Sequence, residues 1–185
     1  MSKTALFVID TQAELVSNAG TAIPHAARIC HACAAILERA RSAPASSVEI
    51  IVVQHAEDPS DPEATLIPGN TGWELTLPPQ GNVVNERLVQ KTTADTFESN
   101  HTLASDLKAQ GISKIVACGV QSDFCVRATC RGAVDAGFDV VLLQGAHSTY
   151  DSSDKGKTAE EIERDIEEEL ERTGVHITHW EDYAF

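Results

Sequence analysis

The chain has no apolar run approaching the roughly 18 residues needed to span a membrane. Its first strand-like run, Ala5 to Ile9, is too short and too soon interrupted for a signal peptide, so a soluble, cytoplasmic protein is expected. Basic residues are scarce: 14 Lys and Arg stand against 28 Asp and Glu, a formal charge of -14. Such a field repels phosphate backbones and anionic membranes, so neither nucleic acid nor membrane is expected as a partner. Part of the excess is local, since residues 151 to 172 carry ten acids and four bases, and it reads in part as a solvated helix face. Cysteines are five, an odd number in a chain long enough to build its own core, which argues for reduced thiols over a disulfide framework. Cys30 and Cys33 form a C-x-x-C, but they fall inside an apolar-periodic helix with no second pair, and buried packing is the simpler reading. Internal repeats and domain linkers are absent, which leaves one domain over residues 1–185.

Four short, continuous apolar runs are present: Ala5 to Ile9, Ile50 to Val53, Ile115 to Cys118 and Val140 to Leu143. Continuity without alternation suits strands covered on both faces, as in a parallel sheet between helices. A weaker strand is expected over Val83 to Val89 and a sixth near Val175 to Ile177. Between them, Ala26, Ile29, Cys30, Cys33, Ile36, Leu37 and Ala40 recur at helical spacing, with Pro24 placed before the helix and Pro44 after it. Further helices are expected over Asn100 to Gln110, Ser122 to Ala136, each stopped by a glycine, and about Thr158 to Thr173. The last has only Ile162, Ile166 and Leu170 as an apolar stripe, which predicts a surface helix with its acids outward. The alternation predicts a three-layer α/β sandwich. Residues 57 to 81 hold five of the seven prolines and form a long loop of the kind that covers a site.

Ligands of an open parallel sheet bind beyond the carboxyl ends of the strands. That rule selects Asp10, His55, Lys91 and the segment Gly119 to Cys125. Cys125 falls in the first turn of a helix, where free N–H groups and the helix dipole favour thiolate; the alternative is a small buried hydrophobe. Asp10 is either a base or a cap on the following loop, and Lys91 either a surface lysine or the cation that holds both partners as ions.

The segments ALFVIDTQAEL, VQKTTADTFESNHTLASDL and IVACGVQSDFCVRATCRGAVDAGFDVVLLQGAHST resemble the isochorismatase-like cysteine hydrolases, which include nicotinamidases and N-carbamoylsarcosine amidase. The resemblance runs from about residue 4 to 150, and G-V-x-[ST]-D-x-C-V before a helix is its specific signature. It implies a six-stranded parallel sheet with helices on both faces, Cys125 as nucleophile, Asp10 as general base and Lys91 bridging them. It also implies a cis peptide between Val120 and Gln121 that turns the Gln121 N–H toward that of Cys125, forming an oxyanion hole, and a homodimer or homotetramer. Lys91 is expected to depress the pKa of both Asp10 and Cys125.

Nicotinamidases of the family bind a metal through Asp-x-His and a later His. Here His55 is preceded by Val53 and Gln54, and no His follows until His101, so neither metal nor other cofactor is expected. Gly145 stands where the family often has Asp, and Leu15 where an aromatic is common. Gln12, His55, Trp73, Phe97 and Phe124 are the candidate substrate-binding residues. The function so implied is hydrolysis of a small carboxamide or ureido compound through a thioester. An isochorismatase-type vinyl ether hydrolysis, needing no cysteine, or a silent binding protein of the same fold are the alternatives.

Overall fold

A computed structural model describes residues 3–185; Met1 and Ser2, included in the single-domain expectation, lie outside the described residues. Six strands form one sheet: β1 (Lys3–Ile9), β2 (Val48–His55), β3 (Glu86–Lys91), β4 (Ile112–Val120), β5 (Asp139–Ser148) and β6 (His176–His179). All pairings are parallel, in the order β3-β2-β1-β4-β5-β6. The chain winds outward from β1 to one edge and from β4 to the other, so the switch point lies between these two central strands.

The continuous apolar runs divide between the two faces residue by residue. Ala5, Phe7, Ile9, Ile51, Val53, Ile115, Ala117, Val140 and Leu142 enter one core, while Leu6, Val8, Ile50, Val52, Val116, Cys118, Val141 and Leu143 enter the other. Helices α1 (Ala13–Val16) and α2 (Ala26–Ser42) supply Leu15, Ile29, Cys33, Ile36 and Leu37 to the second core. Helices α3 (Thr96–Ser99), α4 (Leu103–Ala109), α5 (Arg127–Asp135) and α6 (Ala159–Glu171) cover the first with Phe97, Leu107, Cys130, Ala133, Ile162, Ile166 and Leu170. Helix burial of about 1.5 to 3 kcal/mol per large apolar side chain explains why strands without any polar alternation are stable here. The five cysteines are free. Among the described residues no helix is long and apolar enough to cross a membrane.

Several elements differ in extent from the sequence expectation. β3 starts at Glu86, not Val83, because Asn85 Nδ2 bonds the Val48 carbonyl at 2.8 Å and its own carbonyl accepts from Ile50; Val84 is left exposed. The helix expected from Asn100 begins at Leu103 behind the separate α3, since the Asn100 amide turns back to the carbonyls of Gln90 and Thr96 and competes with helix continuation. The segment from Ser122 is a π-helical turn as far as Val126, after which α5 follows. α6 is opened by a capping box between Thr158 and Glu161. Its stripe is buried as expected, but so are Glu163 and Glu167, which corrects the reading of a wholly solvated acidic face.

Candidate active site

Asp10, His55, Lys91 and the turn after β4 all lie at the carboxyl edge of the sheet, three of them directly at strand ends. His55 and Lys91 are register partners in the β2–β3 pair. Asp10 directly follows β1 in a left-handed conformation (φ 51°), unusual for a residue other than glycine. Across from it, Gly119 pairs with Ile9 and takes φ +123°; a Cβ there would lie 2.1 Å from the Ile9 carbonyl oxygen, so only glycine lets β4 approach β1 at this point. The peptide that follows, Val120–Gln121, is cis.

Lys91 is the centre of the cluster. Its side chain is fully buried, and Nζ lies 2.9 Å from Asp10 Oδ2 and 3.1 Å from each of His55 Nδ1, Cys125 Sγ and the Thr93 carbonyl oxygen. Burial alone lowers an ammonium pKa, but the Asp10 charge first, and the contact with Cys125 after it, outweigh that and the Lys91 value is raised. Lys91 donates to Nδ1 of His55, which leaves the ring proton on Nε2. The His55 pKa is lowered, by burial first and by the Lys91 charge second, so the imidazole is neutral at neutral pH. Asp10 is 1% exposed, its Oδ2 pairs with the Lys91 ammonium at 2.9 Å, and its carboxylate also acts on the Cys125 thiol, so it stands where it can accept the thiol proton.

The Cys125 thiol departs from expectation. Burial, and then the Asp10 carboxylate, push it up to about 12, against the opposing pull of Lys91. A helix-start position therefore does not make a resting thiolate here: Cys125 is 6% exposed, and the loss of solvation outweighs the nearby cation. Behind the turn, α5 packs closely. Gly132 sits where a Cβ would lie 2.2 Å from Asp95 Oδ2, and Thr129 Oγ1 bonds Thr96 Oγ1 at 2.9 Å.

Asp10, His55 and Cys125 present ligand atoms within 4.8 Å of one another, a spacing a metal ion could use. The Lys91 ammonium, at 2.9 to 3.1 Å from an atom of each, already supplies the positive charge at that point, and the three do not fit a metal while it is in place.

The remaining candidates separate. Both amide protons of Gln12 go to backbone carbonyls, of His55 and Trp73, at 2.9 Å, and its Oε1 accepts from the His55 N–H; it pins the strand end and the loop together. Phe97 stacks on Phe7 at 5.6 Å and belongs to the core. Trp73 packs against the α2-side core while its carbonyl receives Gln12 and Gln54. Phe124, beside the cysteine, is 56% exposed. A cavity of about 440 Å³ lies away from the site along β3 and α4, but one of about 640 Å³ has Gln121 in its wall together with Leu15, Thr65 and Tyr150. Sequence reading missed Thr93 as a partner of Lys91, because the bond uses a backbone carbonyl that carries no residue signal. It also missed Tyr150, which reaches this cavity from beyond β5.

A doubly wound parallel sheet with acid, lysine and thiol gathered at its switch point defines the isochorismatase-like class of α/β proteins. The Isochorismatase domain model matches residues 4–178, and the chain belongs to that family. It is 40% identical over 147 residues to a streptothricin hydrolase of Streptomyces noursei, an alignment that covers 80% of this chain and 50% of the relative. The chain thus spans about half the length of the curated relatives it matches first. In fold it is similar to an isochorismatase-like hydrolase from Alkaliphilus metalliredigens (TM-score 0.81, 24% identity, covering 98% of this chain and 94% of the other). It is similar also to N-carbamoylsarcosine amidase from Thermoplasma acidophilum (TM-score 0.77, 19% identity, 98% of each chain).

Proposed function

We propose that the protein is a cysteine hydrolase of a small carboxamide or ureido compound, acting through a thioester. The observation that carries this reading is the convergence, within 3.1 Å of one buried ammonium, of a carboxylate and a thiol. A thiol pushed up to about 12 is protonated at rest, so a base must take its proton as it attacks. Asp10 is that base. The sulfur adds to the amide carbonyl, and the Gln121 and Cys125 N–H groups receive the oxyanion. The C–N bond then breaks, and Asp10 returns the proton to the departing ammonia or amine. In the second half, water attacks the thioester with Asp10 again taking a proton, the acid leaves, and the thiol is restored. Lys91 stays protonated throughout and holds Asp10 and Cys125, the two reacting groups, in line. His55 and Phe124 flank the site as substrate contacts, and the cavity beside Gln121 receives the rest of the molecule.

The similarity to a streptothricin hydrolase makes streptothricin the first compound to assay, followed by a panel of small amides that includes nicotinamide. Turnover is followed by ammonia release and by the mass gain of one water. The native protein is expected to hydrolyse at least one of these and Cys125→Ala none of them. Equal turnover by both proteins would exclude the cysteine mechanism.

A further inference from the structure

Outside the cluster around Lys91, a second set of buried polar side chains lies between β5, α6 and the turn that carries Cys125. Ser122, His147 and Ser148 have no exposed surface, and Glu163 and Glu167 are 8% and 9% exposed. Two acids of a helix otherwise lined with solvated ones have thus been taken out of water, a cost that needs bonded partners. Glu163 finds them in Arg28 at 2.7 Å and Ser148 at 2.5 Å. Glu167 accepts from Gln144 Nε2 at 2.8 Å and faces His147 Nε2 at 3.2 Å, and the other ring nitrogen of His147 lies 2.8 Å from Ser122 Oγ. Burial pushes the Glu167 carboxyl up, but its bonds to His147 and Gln144 outweigh that and it is held below the usual range. A carboxylate only accepts. The hydrogen between them therefore comes from His147 Nε2, and Nδ1 shares the second bond with the Ser122 hydroxyl.

The chain of bonds has the composition of a serine hydrolase triad, but Ser122 is fully buried and reaches no substrate. Its position gives it a different use. Ser122 opens the π-helical turn that ends with Cys125 and Val126, directly after the cis-linked Gln121. The next residue, Asp123, accepts from Thr149 Oγ1 at 2.6 Å, so two consecutive residues of the turn are held from the end of β5. We infer that Glu167, His147 and Ser122 form a positioning relay by which helix α6 fixes the nucleophile turn, acting on the Cys125 sulfur through the backbone. The inference rests on the reading of Cys125 as nucleophile and extends the working site to a helix that contributes nothing to its surface.

The test is alkylation by iodoacetamide in the full chain, with the rate at each cysteine read by peptide mass spectrometry. Cys33, Cys118 and Cys130, all fully buried, serve as internal controls for loosening of the fold. Ser122→Ala and Glu167→Gln are each expected to slow alkylation of Cys125 by about 10- to 100-fold, the scale of a small misplacement of a reacting group, while the three controls stay slow. Residues acting as one unit do not add, so the double variant should be no slower than the worse single one. Ser122→Thr, which keeps the hydroxyl, should restore the native rate. Unchanged Cys125 rates in both single variants would overturn the relay and leave the nucleophile standing. Acceleration at all the buried cysteines together would also overturn it, since that marks lost packing. A native Cys125 no faster than the controls would sink the nucleophile reading, and the relay with it.

Discussion

Cys125 and Cys130 sit on the same continuous stretch of turn and helix, the first in the π-helical turn and the second in α5. Both are buried, and burial pushes both thiols up to about 12. What separates them is the neighbourhood at the end of the sulfur. Cys130 points into the core with Leu107, Ala133 and Phe138, and the nearest charge that acts on it, Asp95, only raises it further. Cys125 has an ammonium at 3.1 Å and, on the other side of that ammonium, the Asp10 carboxylate at 2.9 Å from it. A raised pKa is therefore no mark against a nucleophile and no mark for one. The distinguishing property is a route by which the proton leaves and a cation that stabilises what remains.

Removing the route has the largest expected effect. Asp10→Asn keeps the shape of the site but cannot take the thiol proton, and turnover is expected to fall by about 10²- to 10⁴-fold, the usual worth of a positioned base. Steady-state kinetics on whichever compound of the proposed panel the native protein hydrolyses check it; a loss below ten-fold would place the base elsewhere. Next comes the cation. Lys91→Met leaves Asp10 buried and unpaired, at a cost of about 3 to 5 kcal/mol in denaturant unfolding, and should make Cys125 resemble Cys130 in its slow alkylation. The pH dependence of native stability carries the same term. Below the ordinary lysine value of 10.5 both folded and unfolded chains hold the proton and the stabilisation is complete. As pH rises through the raised folded value, that stabilisation is lost, and Lys91→Met should lack this alkaline decline.

Smaller effects sharpen the contrast from the other side. Cys130→Ala removes one buried atom from a packed core and should cost about 1 kcal/mol, with kcat unchanged. A loss of turnover in this variant would show that Cys130 does more than fill space. His55 gives the smallest change. Its folded pKa lies below the ordinary 6.5, so as pH falls through that value the unfolded chain takes up a proton that the folded chain refuses, and stability declines. His55→Asn should flatten the acid side of the stability profile; an unaltered profile would mean that other groups carry it.

Much of this was legible before the structure. The strands that form the middle of the sheet announced themselves as unbroken apolar runs, and the rule that ligands gather at carboxyl strand ends picked out Asp10, His55, Lys91 and Cys125 from widely separated positions. Less legible was anything decided by a backbone group or a distant partner. Gln12, which reads as a polar residue next to the base, spends its amide on the carbonyls of His55 and Trp73. Phe97, an aromatic in a polar stretch, is core because α3 lays it on Phe7. Glu163 and Glu167 read as two more acids on a solvated helix, although their spacing sets them beside the stripe of Ile162, Ile166 and Leu170 while Glu168 and Glu171 fall on the far side.

The sequence by itself determined the architecture, because hydrophobic periodicity and glycine and proline placement are local properties that specify strands, helices and the order in which they are joined. It also determined which side chains would meet, since parallel topology brings strand ends together whatever lies between them. Only the tertiary structure decided the state in which they meet: a protonated thiol, a neutral histidine, a charged and fully enclosed lysine. Those states depend on desolvation and on the charges of Asp10 and Lys91, which arrive from the ends of β1 and β3. Such fields come into being when the chain closes around them and have no counterpart in any single stretch of it.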